Sequence, residues 1–321
     1  MENKNIVLET RQLTTAFKYG GRELKAVNNV SLYIEKKEMV GLVGESSCGK
    51  SMTAYSIINL VPHPGEIING EVIFKNLNLL NRKSNEIRKI RGKEISLIYQ
   101  DPLSSLNPGF NIFWHLNEII DAHLKNITKK EKYNLIIETL RKVGIPDPEK
   151  KVLQYPHQFS GGMRQRVVIS MALILKPSLI IADEPTTALD VTTQREIFNL
   201  IEDLKETSGI SFLVISHDLY LIAERCDRIY VMYAGQIVEM ATAQELFKKP
   251  LHPYTKGLLN SIPKLSYSDE QLKAIKGEIP SLMNLPKGCY FKNRCDFADI
   301  ECDKVQELRF VDGRLIRCCK I

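Results

Sequence analysis

The chain has 321 residues, of which 44% are hydrophobic and 26% charged, and 44 basic residues against 38 acidic ones give a net charge of +6. This composition excludes disordered and fibrous proteins; the charge suits an anionic ligand or a membrane surface but is too small to indicate nucleic-acid binding by itself. No run reaches the roughly 18 apolar residues of a membrane helix, and the N-terminus lacks the apolar segment of a secretory signal, so we expect an intracellular protein that does not span a bilayer.

Strand and helix patterns alternate through the first 240 residues. Apolar periodicity predicts strands at 6–13, 26–35, 39–44, 70–74, 94–99, 179–183 and 210–216, and a hairpin at 227–240. It predicts helices at 51–60, over much of a segment at about 101–160, from 163 to 176 and at 192–206. Strands that alternate with helices indicate a doubly wound α/β core. After about Pro250, prolines replace the alternation and predict loops and short helices.

A glycine-rich loop lies between the third predicted strand and the first predicted helix. Its sequence, Gly44–Ser51, fits the P-loop pattern GxxxxGK[ST]. Backbone N–H groups and the helix N-terminus would face the phosphates, Lys50 would neutralise their charge, and the Ser51 hydroxyl would ligate Mg²⁺. We therefore expect a nucleotide to contact Gly44, Glu45, Ser46, Ser47, Cys48, Gly49, Lys50, Ser51 and Met52.

The thiol of Cys48 lies inside this loop. Lys50 and the helix N-terminus both favour its thiolate form, so a reactive thiol that nucleotide protects is one hypothesis. The favoured alternative is a small residue that merely fits the loop.

Two carboxylates occur where the buried strand at 179–183 ends, which is the usual ligand edge of parallel sheets. Following a P-loop, Asp183 is expected to hold Mg²⁺ and Glu184 to polarise the attacking water. His217 follows the strand at 210–216 and could reach a γ-phosphate, although a lone histidine at a strand end is more often structural.

The sequence Ser160-Gly161-Gly162 precedes the helix that begins near Met163. Unpaired N–H groups at such a helix start form a seat for an anion, and an ordinary N-cap at Ser160 is the alternative. Basic residues in the first turn, Arg164 and Arg166, oppose the helix dipole and favour the anion seat.

Six elements in this order resemble the ATP-binding subunit of ABC transporters. They are the P-loop 44–51, Gln100 in IYQDP, the signature FSGGMRQR at 159–166, the Walker B strand LIIADE, the D-loop Ala188-Leu189-Asp190 and the switch histidine His217. The resemblance implies an ABC nucleotide-binding domain with a RecA-like core, an antiparallel β subdomain and a helical subdomain at about 101–160. It also implies two subunits that sandwich two ATP molecules, with the P-loop of one facing the signature of the other.

The resemblance implies roles for individual residues. Gln100 would ligate Mg²⁺ with Ser51 and Asp183, Glu184 would act as general base, and His217 would contact the γ-phosphate. Phe17, or alternatively Tyr19, would stack on adenine. The residues that would serve the partner's ATP are Ser160, Gly161, Gly162, Met163, Arg164 and Gln165, beside Asp190 of the D-loop. Ser47 stands where many relatives have glycine, and FSGGM replaces the commoner LSGGQ. Neither departure removes a catalytic group, so hydrolysis is expected.

The C-terminal sequence resembles the extension of the oligopeptide and dipeptide permease subfamily. The matching segments are LHPYT at 251–255, GEIPS at 277–281 and GCYFKNRC at 288–295. We therefore predict an ATPase domain at 1–250 and an extension at 251–321, with the boundary between Lys249 and Pro263.

Five of the seven cysteines lie near the C-terminus, at 289, 295, 302, 318 and 319. Clustered thiolates suit zinc or an iron–sulfur cluster, and the tight CxxC spacing of structural zinc sites is absent from this group. Free structural thiols are the alternative. The subfamily resemblance implies a [4Fe–4S] cluster, expected to be a structural staple, on Cys289, Cys295, Cys302 and Cys318, with the adjacent Cys319 as an open alternative to the last ligand.

The favoured function is an ATP-hydrolysing subunit of an importer for dipeptides or oligopeptides on the cytoplasmic face of the membrane. The resemblance implies two integral-membrane permease subunits, a second similar ATPase or a second copy of this chain, an external substrate-binding protein, and no nucleic acid. Uptake of nickel or another small solute is the first alternative. A soluble ABC ATPase acting on nucleic acid or ribosomes is the second, although the chain lacks the second cassette or coiled-coil insert that such proteins usually have.

Overall fold

The computed structural model describes residues 5–187, 189–261 and 275–321. Its strands are β1 (Ile6–Tyr19), β2 (Arg22–Glu35), β3 (Met39–Val43), β4 (Gly65–Phe74), β5 (Leu77–Asn78), β6 (Ile95–Ile98), β7 (Leu179–Asp183), β8 (Ser211–Ser216), β9 (Arg228–Tyr233), β10 (Gln236–Thr242), β11 (Arg309–Val311) and β12 (Arg314–Ile316). Ala188 of the predicted D-loop and residues 262–274 of the predicted extension, including Pro263, lie outside the described residues.

The helices include those predicted, in the predicted order, and three before residue 250 that the sequence did not predict, at Ser84–Ile90, Leu219–Arg225 and Ala243–Lys248. They are α1 (Lys50–Ile57), α2 (Ser84–Ile90), α3 (Pro102–Ser105), α4 (Ile112–His123), α5 (Lys129–Lys142), α6 (Pro148–Lys151), α7 (Gly161–Leu173), α8 (Val191–Ser208), α9 (Leu219–Arg225), α10 (Ala243–Lys248) and α11 (Pro253–Asn260), with 3₁₀ turns at Leu79–Asn81, Pro156–Gln158, Lys292–Arg294 and Ile300–Asp303. Within the described part of the chain, no helix has both the length and the apolar character needed to span a bilayer.

The chain divides into two compact units. The first comprises the described residues of 1–34, 39–80 and 215–321, and the second comprises 35–38 and 81–214. The chain passes from the second unit back to the first within β8. Because residues 275–321 belong to the same unit as the P-loop, contacts between the C-terminal region and that loop lie within one compact body.

In the first unit, β2, β1, β4 and β5 form a sheet in that order. β1 and β2 are both longer than the sequence predicted. β1 contains an irregularity: Gln12 has φ of 48° and the pairing with β4 shifts register between Arg11 and Thr14. An irregularity of this kind breaks the period-2 pattern, so the alternation could be followed only to residue 13. The strand β3 pairs in parallel with β9.

The predicted hairpin forms, with Ala234 and Gly235 turning β9 into β10. Beyond residue 250, the described residues include two strands that the sequence did not indicate: β12 pairs with β10 at Glu239 and Ile316, and β11 pairs with β12. Prediction of loops and short helices beyond residue 250 was therefore incomplete. Strands of three residues are too short to produce a recognisable alternation.

In the second unit, β6 and β7 pair in parallel, and β8 lies beside β7. Every residue of β7 and β8 is buried, as their uninterrupted apolar sequences indicate for strands covered on both faces. The segment at about 101–160 contains α3 to α6, and its periodic apolar residues, including Leu116 and Ile136, are buried. β7 ends at Asp183, directly before Glu184, the two carboxylates that the sequence singled out.

The start of α11 is fixed by two buried polar side chains. The carboxylate of Glu239 accepts the N–H groups of Leu251 (2.8 Å) and His252 (2.9 Å). His252 Nδ1 accepts the N–H of Tyr254 at 3.1 Å, so the imidazole is the N-cap of the helix. Burial lowers the pKa of His252 to about 3.

His252 is expected to make the protein less stable in mild acid. Its pKa is about 3 when folded and 6.5 when free, so below pH 6.5 the unfolded chain binds a proton that the folded chain does not. The contribution of neutral His252 to the free energy of unfolding is complete above pH 6.5 and falls by about 1.4 kcal/mol per pH unit toward pH 3. His252→Asn keeps an N-capping oxygen but does not titrate. Urea unfolding should show that the free energy of unfolding falls less between pH 7.5 and pH 5.0 in this variant than in the wild type.

The exposed His63 supplies the control. His63→Asn should retain the pH dependence of the wild type, and an equal loss of stability in the wild type and His252→Asn would contradict the assignment to His252.

Candidate functional site

The P-loop has the conformation that its glycines allow. Gly44 has φ of 157° and Gly49 has φ of 108°. A Cβ on Gly44 would lie 2.2 Å from the carbonyl oxygen of Met232, and one on Gly49 would lie 2.4 Å from that of Ala26. Only glycine fits at either position, and this close approach shapes the loop into which the sequence places phosphates.

The lysine of the loop is buried and faces inward along it. Lys50 is 5% exposed, and its Nζ donates to the carbonyl oxygens of Gly44 (2.8 Å) and Glu45 (3.0 Å). It opens α1, with Ser51 and Met52 half-buried beside it. The backbone and donor set suit phosphates, as the sequence predicts, and the hydroxyl of Ser51 suits Mg²⁺.

Ser47 adopts a backbone conformation that disfavours a side chain. Its φ is 62°, in the left-handed region, which explains why glycine suits this place in a P-loop. We expect Ser47→Gly to raise the free energy of unfolding by about 1 kcal/mol, because it removes this strain at a modest cost in unfolded-state entropy. Denaturant titration of the full chain measures the change. Ser46→Gly, at a neighbour outside the left-handed region, should give no gain, and an equal gain in both variants would contradict the strain argument.

The thiol of Cys48 is 1% exposed, and burial raises its pKa to about 11 against the smaller opposing effect of Lys50. A buried, protonated thiol is a poor nucleophile. The structure therefore favours the small-residue interpretation of Cys48 over the reactive-thiol hypothesis.

The carboxylates at the end of β7 have different surroundings. Asp183 is 1% exposed. Glu184 is half-buried, and its Oε2 accepts hydrogen bonds from Gln100 Nε2 (2.8 Å) and Thr187 Oγ1 (3.0 Å). Its φ of 48° is also left-handed, a strain of the kind that collects at functional sites. The arrangement fixes the carboxylate of Glu184 in one orientation, and Thr187 is a contact that the sequence did not reveal.

His217 and Asp190 lie beside the elements that the sequence predicted for them, a strand before His217 and a helix after Asp190. His217 is exposed directly after β8. Asp190 is the N-cap of α8, where it accepts the N–H (3.0 Å) and hydroxyl (2.7 Å) of Thr193. The backbone and side-chain hydrogen bonds from Thr193 lower the pKa of Asp190.

The signature sequence opens α7 and faces a cavity of about 370 Å³. Ser160 is the N-cap and accepts the N–H of Met163 at 3.3 Å. The residues lining the cavity are Ser160, Gly161, Gly162, Met163, Arg166, Leu189, Asp190, Thr193 and Glu196. A Cβ on Gly162 would lie 2.6 Å from Cγ2 of Thr193, so glycine allows α7 to start close to α8. The predicted anion seat and D-loop aspartate thus line one cavity.

The arginines of this helix have protein partners, which weakens their use as a sign of an anion. Arg164 Nε donates to the carbonyl of Pro156 (3.0 Å), and Arg166 contacts Glu196 at 3.0 Å. Gln165 is 1% exposed, and its Nε2 has no hydrogen-bond partner among the described residues. Its assignment to a partner's ATP, like that of the other signature residues, stays a prediction.

The two aromatic candidates for adenine stacking differ in their packing. Phe17 is half-buried on β1 opposite Gly65, where a Cβ would lie 2.7 Å from its ring. Tyr19 is 67% exposed at the end of the strand. The choice between them stays a prediction.

The prediction of a [4Fe–4S] cluster is wrong. The predicted ligands Cys289, Cys295, Cys302 and Cys318, together with Cys319, do line one cavity, but its volume of about 10 Å³ suits a single water molecule. In residues 5–187, 189–261 and 275–321, no three histidine, cysteine or acidic side chains are arranged to hold a metal ion.

Burial raises the pKa of the Cys289 thiol to about 11 and also raises the pKa of Cys295 and Cys318. The sulfur atoms of Cys302 and Cys319 lie 3.6 Å apart as free thiols. All seven cysteines lie in the described residues and none forms a disulfide, while the alternative of free structural thiols stays a prediction.

Comparison with known proteins supports both parts of the sequence pattern. A family model described as ABC transporter matches residues 27–187, and one described as the C-terminal region of oligopeptide/dipeptide transporters matches 238–302. The chain is 44% identical over 316 residues to the dipeptide transport ATP-binding protein DppD of Bacillus subtilis (strain 168), covering 97% of this chain and 94% of the relative. It is 47% identical over 294 residues to the oligopeptide transport ATP-binding protein OppD of the same organism, covering 91% and 82%.

A solved structure shares the architecture. The dimeric structure of a post-hydrolysis state of the ATP-binding cassette MJ0796, bound to ADP and Pi, matches with a TM-score of 0.64 and 27% identity. The match covers 74% of this chain and 98% of that one.

Proposed function

This chain belongs to the ABC transporter family, and we propose on that premise that it is the ATP-hydrolysing subunit of an importer of dipeptides or oligopeptides. The family match and the MJ0796 cassette confirm the ABC cassette fold expected from the six sequence elements. The relatives named for dipeptide and oligopeptide transport favour this function over a nucleic-acid-dependent ATPase.

The main support for peptides as the transported substrate is the match to the oligopeptide/dipeptide transporter C-terminal region at 238–302. A P-loop and a signature occur throughout the ABC family and do not separate its branches. The C-terminal match does, and the most similar relatives described above extend across it.

The residue roles that we propose follow from the chemistry of each group. Lys50 neutralises the phosphates, while Ser51, Asp183 and Gln100 provide oxygen ligands for Mg²⁺. Glu184 takes a proton from the attacking water as its oxygen attacks the γ-phosphorus and ADP leaves.

The hydrogen bonds that Glu184 accepts support this role. Gln100 and Thr187 both donate to Oε2 of Glu184, which leaves its orientation fixed before the water is bound. Holding a base in one orientation reduces the entropy lost on reaching the transition state. His217 contacts the γ-phosphate and Phe17 stacks on adenine in the same proposal.

The proposed assembly contains a second ATPase, identical or similar, whose ATP meets Ser160, Gly161 and Gly162. The cavity beside these residues, lined also by Asp190, supports a partner ligand at this place. Two membrane permease subunits would hold the pair at the cytoplasmic face, and an external binding protein would deliver the peptide. The boundary at residue 250 between ATPase domain and extension is part of the same proposal.

Purification from native membranes in mild detergent tests the assembly. Mass spectrometry should identify two polytopic permeases with this chain, and peptides should stimulate ATP hydrolysis by the reconstituted complex with its binding protein. If nickel but not peptides stimulates ATP hydrolysis, the substrate is nickel rather than a peptide. Recovery with ribosomal proteins or nucleic acid, without permeases, would contradict the transport function.

A further inference from the structure

Glu45, the second residue of the P-loop, is held at three groups. Its carboxylate accepts two hydrogen bonds from Arg294, Nη1 to Oε2 at 2.7 Å and Nη2 to Oε1 at 2.9 Å. Its backbone N–H donates to the hydroxyl of Tyr254 at 2.9 Å. Its carbonyl oxygen accepts from Lys50 Nζ at 3.0 Å. Arg294 and Tyr254 belong to the predicted extension at 251–321, called the C-terminal region below, and Lys50 belongs to the P-loop.

The Arg294 ion pair differs from an ordinary surface pair. The side chain of Arg294 is 6% exposed and that of Glu45 is 29% exposed. The guanidinium lies over the rings of Tyr233 and Phe291, at 5.7 Å and 5.9 Å, and its Nε donates to the carbonyl of Lys276 at 2.9 Å. A two-bond pair whose arginine is already immobilised loses little entropy on forming, so it holds its partner firmly.

Tyr254 is equally fixed. Its side chain is fully buried, with its ring centroid 4.7 Å from that of Tyr233 and 5.4 Å from that of Phe291. It lies in the first turn of α11, whose start is capped by His252. The hydroxyl that accepts the Glu45 N–H therefore has a position set by packing and by a capped helix.

We propose that Arg294 and Tyr254 are positioning residues of the ATP site, through which the C-terminal region sets the nucleotide affinity of the P-loop. Neither side chain is required to touch nucleotide. They fix the peptide units of Glu45, whose carbonyl, with that of Gly44, holds the Nζ of Lys50. Small displacements of a charged group in a binding site weaken ligand contacts disproportionately. The inference rests on the proposed function, since it assumes that Lys50 binds ATP.

Positioning and direct attraction make opposite predictions for Glu45. If Arg294 acted on ATP as a distant positive charge, removing the carboxylate of Glu45 would unmask that charge and tighten binding. If Arg294 acts by holding Glu45, removing either partner weakens binding, and removing both costs no more than removing one.

The experiment measures the Kd of a fluorescent ATP analogue with Mg²⁺ on the full chain, without turnover, at a temperature where every variant is folded. Glu45→Gln and Arg294→Gln are each expected to weaken binding about tenfold, and the double variant also about tenfold rather than a hundredfold. Tyr254→Phe, which keeps the ring packing, should weaken binding about threefold. Arg294→Lys, which keeps the charge but loses the two-bond geometry, should fall between wild type and Arg294→Gln.

Arg309→Gln is the matched control. Arg309 also belongs to the C-terminal region, but its Nη2 donates to the carbonyls of Cys318 and Ile321. This variant should lower the melting temperature without changing the Kd, which separates positioning from a general loss of stability.

Each outcome decides the proposal. The proposal is overturned if Glu45→Gln binds the analogue with wild-type affinity or more tightly. It is also overturned if the single variants Tyr254→Phe and Arg294→Gln both bind with wild-type affinity. Additive losses in the double variant overturn the positioning argument as well. If Arg294→Gln does not fold, Glu45→Gln and Tyr254→Phe carry the test. If the wild-type chain binds no ATP analogue, the proposed ATP site itself is wrong. That outcome differs from one in which the variants bind the analogue as tightly as the wild type does.

Discussion

Replacing Glu184 by glutamine is expected to reduce ATP turnover by the assembled transporter by about 10²- to 10⁴-fold, the range that a positioned general base contributes. ATP binding should change little, because glutamine has nearly the same shape and still accepts a hydrogen bond from Thr187. The hydrogen bonds from Gln100 and Thr187 hold the carboxylate of Glu184 in place, so the change removes its basicity rather than its position. Phosphate release by the purified complex and the Kd of an ATP analogue give the two readouts.

The control is Glu206→Gln, at a side chain that is 76% exposed near the end of α8. It should hydrolyse ATP at the wild-type rate. A Glu184→Gln complex that hydrolyses at the wild-type rate would show that another group takes the proton from water.

Replacing Lys50 by methionine is expected to weaken ATP binding about 100-fold, because charge-assisted hydrogen bonds to phosphate oxygens contribute about 1.5–3 kcal/mol. Methionine matches the length of the side chain but donates no hydrogen bond. It also releases the carbonyls of Gly44 and Glu45, which Nζ holds at 2.8 Å and 3.0 Å. Titration with a fluorescent ATP analogue and Mg²⁺ measures the change on the full chain.

Lys36→Met, at an exposed residue after β2, is the matched control and should bind the analogue as the wild type does. Equal affinity of Lys50→Met and the wild type would show that this lysine does not hold the phosphates. Together with Glu184→Gln, the result separates loss of binding from loss of the chemical step.

Sequence reasoning predicted the local structure where a motif lies within one short segment. The P-loop pattern could be recognised because Gly44, Gly49 and Lys50 act within one strand, turn and helix. The same holds for β7, whose buried run leads directly to Asp183 and Glu184. The family was also predictable, since six such segments occur in a fixed order, and the C-terminal segments at 251–255, 277–281 and 288–295 indicated the transport function.

The prediction that failed is the [4Fe–4S] cluster, which the subfamily resemblance implied at the C-terminal cysteines. Their number and grouping suggested a metal, but sequence spacing gives neither the volume that the thiols enclose nor their burial. The cavity that the thiols line is the size of one water molecule. The contacts of the arginines at the start of α7 with Pro156 and Glu196 also depend on how other segments fold beside them, and local sequence does not predict them.

The sequence by itself determined the family, the order of the main strands and helices and the P-loop, because these depend on local patterns and on motifs of a few residues. Only the tertiary structure decided what Arg294 and Tyr254 contact. They lie 249 and 209 residues from Glu45 along the chain, yet both bind it within 3 Å. Local propensity carries no information about such pairs, because their energy arises only when packing brings the two segments together and removes their charges and hydroxyls from water.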